Sequence, residues 1–170
     1  MELPSDFTIV SGGQTGADRA ALDFAIRLGI PHDGWCPRGR LAEDGPLDAC
    51  YHLRETPTSK YDQRTRWNVR DSDATLVVTI QAKPTGGTAL TLGACRQQGK
   101  PYLHIARDTI SSLEEAGERV AEFIAEHNVV RLNVAGPRGS QEPEIAGFVE
   151  ELLAVALTSC CRTFQTANKR

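Results

Sequence analysis

Residues 74–80 read ATLVVTI, a β-branched run without a single charge. A strand this uniformly apolar has no face to offer water, and burial on both faces is the condition of a strand inside a parallel sheet. That sheet in turn needs crossover helices, and the chain supplies them. Phe7–Val10, Pro101–Ile105 and Val130–Val134 read as further short strands, with another near His32–Trp35. Between them lie helical patterns over Ala17–Leu28, Lys60–Arg70, Thr88–Gln98, the stretch after Ser111–Ser112, and the stretch opened by Pro143. Gly29 and Gly99 supply helix stops, and Ser111 or Ser112 with Glu114 or Glu115 forms a capping box. Alternating strands and helices predict an α/β fold with right-handed crossovers: an open parallel sheet of about five strands, flanked by helices in three layers.

The length of 170 residues suits one domain, expected over residues 1–161, with residues 162–170 as a frayed tail. Residues 36–60 carry Pro37, Gly39, Gly45, Pro46 and Pro57 and read as one long loop, the kind that is functional or mobile. No apolar run approaches the roughly 20 residues of a membrane span. The amino terminus lacks a basic region followed by an apolar stretch, so a cytoplasmic protein with reduced thiols is expected. With 19 basic and 22 acidic residues, the net charge of −3 argues against a broad nucleic-acid surface, which needs a basic footprint. One basic pocket remains compatible with that balance.

Three of the predicted strands run into glycine-bearing turns followed by helices. The first turn holds Gly12, Gly13, Gln14, Thr15 and Gly16, with Asp18 just inside the helix. The second holds Gly86, Gly87 and Thr88, and the third Gly136, Arg138, Gly139 and Ser140. Glycine lets backbone approach a ligand closely, and the free amides at a helix start attract anions. In open α/β sheets such turns lie beyond the carboxyl ends of the strands, where ligands bind. A phosphate ester is therefore the expected ligand. No turn ends in Gly-Lys-Ser/Thr and none reads G-x-G-x-x-G, which disfavours a Walker-type NTPase and an ordinary dinucleotide dehydrogenase.

The strings SGGQTGADRAALDFAIRLGIPHDGWCPRGRLAEDGPL, YDQRTRWNVRDSDATLVV and TGGTALT resemble the molybdenum-carrier family, over about residues 7–140. That family sits with the Rossmann-like SLOG proteins, which include cytokinin-activating phosphoribohydrolases. The resemblance implies a Rossmann-like fold and a carrier that binds a phosphate-bearing pterin or nucleotide. Molybdenum cofactor (molybdopterin) or a nucleotide would be the bound ligand, with no catalytic residue and no metal held by the protein itself. The hydrolase signature is an arginine-bearing helix followed by a Pro-Gly-Gly-x-Gly-Thr-x-x-Glu loop. Tyr61-Asp62-Gln63-Arg64 takes the place of the helix motif, which puts Arg64 on its arginine, with Asn68 one turn on. Gly86-Gly87-Thr88 matches part of the loop, but Thr91 stands where the glutamate belongs. Threonine is a poor acid–base group at neutral pH. The alternative, a nucleoside-monophosphate phosphoribohydrolase, would need Asp18 or Glu142 to replace that carboxylate.

The resemblance also implies a circular permutation. The hydrolases carry a glycine-serine loop early in the chain, and its counterpart here, Gly136–Ser140, comes late. The strand order that follows is 2-1-5-3-4. Against it stands the alternation of Val130, Leu132 and Val134 with Arg131 and Asn133, which suits an edge strand and the order 2-1-3-4-5. Arg66 and Arg70 read as a solvated basic face. Trp67 reads as a ring-stacking platform or a core anchor, and Cys36 as a buried, inert thiol. Pairing through helices, as a homodimer or higher homo-oligomer, is expected of a sheet of this type.

Overall fold

A computed structural model describes residues 3–162, with side chains through position 158. Five parallel strands form the central sheet: β1 (Thr8–Val10), β2 (His32–Asp33), β3 (Ala74–Thr79), β4 (Tyr102–Ala106) and β5 (Arg131–Ala135). Their order is β2-β1-β5-β3-β4, so the last strand of the chain is central and the edge alternative is overturned. Ile9 pairs with Leu132 on one side of β5, and Leu76 with Val134 on the other. The alternation that suggested an edge has a different cause. Arg131 and Asn133 are polar because each has a fixed partner. The Arg131 guanidinium reaches Asp33 at 2.8 Å and the Asp71 carbonyl at 2.8 Å. Asn133, only 2% exposed, donates to the Thr75 hydroxyl at 3.1 Å.

The helices are α1 (Ala17–Leu28), α2 (Tyr61–Arg70), α3 (Gly86–Gln98), α4 (Leu113–Glu126) and α5 (Ile145–Arg162). Side chains of α1, α4 and α5 form one core with Ile9, Leu76, Val78, Leu132 and Val134. Phe24, Val120, Phe148 and Leu152 are the helical members at its centre, all buried. The opposite face carries α3, with α2 packed beside it through Val69, Ala94 and Cys95. Gly29 and Gly99 end α1 and α3 in the left-handed conformation, and the Ser112 hydroxyl accepts the Glu115 amide to start α4. Helix α3 begins two residues earlier than its pattern suggests, which draws Gly86 and Gly87 into its first turn. Helix α5 runs to Arg162, into the segment expected to fray, and the rest of that expected tail, 163–170, lies outside the described residues. No helix among the described residues is long and apolar enough to cross a membrane.

Residues 36–60 are more ordered than a loop. Trp35–Cys36 pairs with Arg54–Glu55, and Leu41–Ala42 pairs with Gly45–Pro46. The Arg40 guanidinium gathers the segment by donating to the carbonyls of Leu47, Asp48, Tyr51 and Leu53. The segment is thus a cap with its own frame. Asn68 anchors it, giving its side-chain amide to the Trp35 carbonyl at 3.0 Å and accepting the Trp35 amide at 2.8 Å. The Trp35 indole donates to Asp71 at 2.7 Å, and Trp67 meets the Trp35 ring edge to face at 4.7 Å.

Two outcomes follow for stability. Replacing Asn133 by alanine removes a buried hydrogen bond to the Thr75 hydroxyl, so urea denaturation should show a loss of about 1–3 kcal/mol. Asp71 is held down to about 2 by hydrogen bonds from Arg70 and Trp35, against an ordinary 3.8. A carboxyl depressed on folding stabilises above its unfolded value and loses that contribution as pH falls through the folded one. Stability should therefore drop between about pH 4 and pH 2, and Asp71→Asn should flatten that part of an acid titration followed by tryptophan fluorescence.

Candidate functional site

The three glycine turns emerge from the carboxyl ends of β1, β3 and β5, which lie side by side at the centre of the sheet. The permuted order therefore brings them into contact. Gly16, at φ 81°, starts α1 against the third turn, and a Cβ there would collide with the Pro137 carbonyl and the Gly139 amide. The Gly139 amide donates to the Thr15 hydroxyl at 3.2 Å.

A buried ion pair joins this assembly to α2. Arg64 Nη1 lies 2.8 Å from Asp18 Oδ2, with the two side chains 13% and 4% exposed. The Gln14 backbone amide also donates to the same oxygen, 3.4 Å away. Burial pushes the Asp18 carboxyl up, and the charge and hydrogen bond of Arg64 pull against that shift. The guanidinium fills the space above Gly12, where any Cβ would overlap it. Arg64 Nε is buried with no acceptor among the described residues.

Beside the pair opens a cleft of about 290 Å³. Six of the residues expected at a site line it: Asp18, Arg64, Gly87, Thr88, Gly136 and Arg138. The Arg138 guanidinium lies 4.9 Å over the Tyr61 ring and makes no ion pair among the described residues. A second cleft of about 270 Å³ shares Thr88 and Gln141 with the first and adds Lys83 and Thr85. Tyr61 and Gln141 are lining residues that pattern reasoning left out. Tyr61 stood in the quoted YDQR motif and Gln141 directly after the third turn, so adjacency was the available signal.

The other expected residues have different surroundings. Gln14 is buried, and its Oε1 accepts the amides of Thr15 and Glu43. Gly13 lies under Leu47 and Leu53 of the cap. The Thr15 and Ser140 hydroxyls both donate to Glu43, a cap residue. Gly86 lies in the first turn of α3, near Gln141. Asn68 is away from the cleft, tied to Trp35 on both sides as described above. Arg66 donates to Gln97 and Arg70 pairs with Asp71, both exposed. Cys36 is fully buried, and burial raises its thiol.

A model of the circularly permuted YpsA SLOG family matches residues 9–157. The chain belongs to this family. Its five-strand order, with the third glycine turn contributed by the last strand, is the arrangement that a permuted member requires. The chain is also 49% identical to the solved structure of a putative molybdenum carrier protein from Syntrophus aciditrophicus SB. That likeness covers 92% of this chain and 98% of the other, with a TM-score of 0.87. No curated protein matches the chain.

The Arg64 seat gives a direct test. Gly12→Ala should displace the guanidinium and cost about 1–3 kcal/mol in urea denaturation. Gly87→Ala has open space around its new methyl. It should stay within about 0.5 kcal/mol of the parent.

Proposed function

We propose that this protein is a non-catalytic carrier, holding a phosphate-bearing small molecule in the cleft between Arg64, Thr88 and Arg138. The observation that carries this reading is that two guanidinium groups, Arg64 and Arg138, line one cavity. Among the described residues, Arg64 keeps an Nε without an acceptor beyond its pair with Asp18, and Arg138 stacks over the Tyr61 ring and makes no ion pair. A guanidinium is the side chain best suited to a phosphate, because its planar fork donates in parallel. Thr88 adds a hydroxyl at the start of α3, where backbone amides and the helix dipole favour an anion.

The organic part of the ligand would run past Thr88 and Gln141 into the second cleft. By its likeness to the molybdenum carrier protein, the ligand proposed first is the molybdopterin part of molybdenum cofactor, with a nucleoside monophosphate as the other candidate. The donor set suits the phosphate of either. It does not suit direct protein ligation of molybdenum, since no cysteine lines either cleft and no group of three potential metal ligands occurs among the described residues. Molybdenum would therefore be held through the organic ligand.

Three facts favour carriage over hydrolysis. Thr91 spends its hydroxyl on the Gly87 carbonyl at 3.1 Å. Asp18 is committed to Arg64. Glu142 accepts the Ile80 and Gln81 amides at 2.6 and 3.4 Å. Each carboxylate that could stand in for the missing glutamate is thus already engaged.

Calorimetry with molybdopterin and with AMP tests the reading. At least one should bind, and Arg138→Ala should weaken it about 10- to 100-fold, the worth of one charge-assisted hydrogen bond. Binding of neither, or binding untouched by Arg138→Ala, would reject the reading. Release of free base from AMP would replace it with the hydrolase.

A further inference from the structure

The tip of the cap does something the glycine turns alone do not predict. Glu43 and Asp44 form the two-residue turn between Leu41–Ala42 and Gly45–Pro46. Asp44 clasps Arg19 of α1 through two hydrogen bonds of 3.1 Å. Glu43 goes further, and sets its carboxylate between the first and third glycine turns. One oxygen accepts the Thr15 hydroxyl and the Ser140 amide, and the other accepts the Ser140 hydroxyl at 2.6 Å. These hydrogen bonds hold the Glu43 carboxyl below its usual range, although the side chain is open to solvent.

Gln14 supplies an independent sign. It is 4% exposed, and its Oε1 accepts the Thr15 amide at 3.0 Å and the Glu43 amide at 2.9 Å. Those two donors fix which way the side-chain amide points, since the opposite orientation would set donor against donor. Its Nε2, on the same carbon, is then buried beside the Glu43 turn with no acceptor among the described residues. A buried donor left unpaired costs on the order of 1–3 kcal/mol, so an oxygen supplied to it is a gain. The two oxygens of the Glu43 carboxylate already accept three hydrogen bonds, and neither serves Gln14 Nε2. A tetrahedral oxyanion presents more.

We propose that Thr15, Ser140 and Gln14 form an oxyanion subsite that the chain fills with its own Glu43. An incoming tetrahedral oxyanion takes over these donors and lifts the hairpin tip. The subsite adjoins the Arg138 side of the cleft, and Arg138 contributes to keeping Glu43 charged. It deepens the carrier reading, on which it rests for the identity of the natural oxyanion. The cap is then a latch: closed over the turns by an internal carboxylate, and opened by a tetrahedral oxyanion that binds the turns beside the cleft. A site whose competent state is a minor one binds more weakly in proportion to that fraction.

Glu43→Gln keeps the shape of the side chain and removes its charge. Inorganic phosphate and molybdate are the probes, titrated calorimetrically into the parent protein and into Glu43→Gln. The variant should bind one of them about tenfold tighter or more, as expected when a competing internal anion is removed. Hydrogen exchange over residues 41–46 should accelerate in the parent as that anion saturates, and should already be fast in Glu43→Gln without it. Ser140→Ala in the Glu43→Gln background should abolish the gain. Equal affinities in parent and variant, no binding to Glu43→Gln, or exchange that ignores the anion would each overturn the subsite. AMP or molybdopterin binding that depends on Arg138 but ignores Glu43→Gln would sink the subsite and leave the carrier reading standing. A phosphate response to Glu43→Gln in a protein that takes neither organic ligand would do the reverse.

Discussion

The site depends on one buried ion pair. Asp18 and Arg64 come from different helices, and each would be costly to bury alone, by several kcal/mol per ion. Placed 2.8 Å apart they offset that cost for one another. The geometry around them follows from the same requirement. Gly12 has no Cβ because the guanidinium occupies that space. The Gln14 and Gly136 amides turn toward the Asp18 carboxylate and pull its proton affinity down against burial. One carboxylate therefore ties the first glycine turn, the third glycine turn and α2 together, and the cleft is the space left beside that knot.

The central sheet makes the knot possible. With β5 between β1 and β3, the first and third turns touch, and the second faces them across the cleft. In a chain that kept β5 at the edge, Gly16 could not rest on Pro137 and Gly139. Circular permutation thus changes where the strands fall in the chain while keeping the three turns together. The family membership and the likeness to a molybdenum carrier protein agree with this arrangement of backbone. The departures from a hydrolase are side chains: Thr91 in the place of glutamate, and Asp18 and Glu142 both engaged.

Much of this was legible from local patterns. ATLVVTI announced an interior strand, the glycine turns announced the carboxyl ends of three strands, and Ser112 with Glu115 announced the start of α4. What stayed hidden was long-range. Arg131 and Asn133 looked like residues facing water because their partners, Asp33, Asp71 and Thr75, are about 60 to 100 positions away. Residues 36–60 looked like a loop because three prolines and two glycines interrupt the segment. Its order comes from one arginine collecting four carbonyls, which no periodicity encodes. Glu43 could not be placed either, since nothing in its neighbourhood says that its carboxylate reaches Ser140, 97 residues on. Asn68 shares a helix face with Arg64 and so was assigned to the ligand, but one turn further along α2 its side chain meets the Trp35 backbone instead.

The central claim is that Asp18 and Arg64 act as one unit. A double-mutant cycle measures it most directly: Asp18→Asn, Arg64→Gln and the double variant, each unfolded in urea. If the pair organises the site, either single change should cost about 3–5 kcal/mol, since it strands a buried charge. The double change should then cost less than the sum by about 1–3 kcal/mol. Losses that add to within about 0.5 kcal/mol would mean that the two residues contribute independently, and would contradict the account.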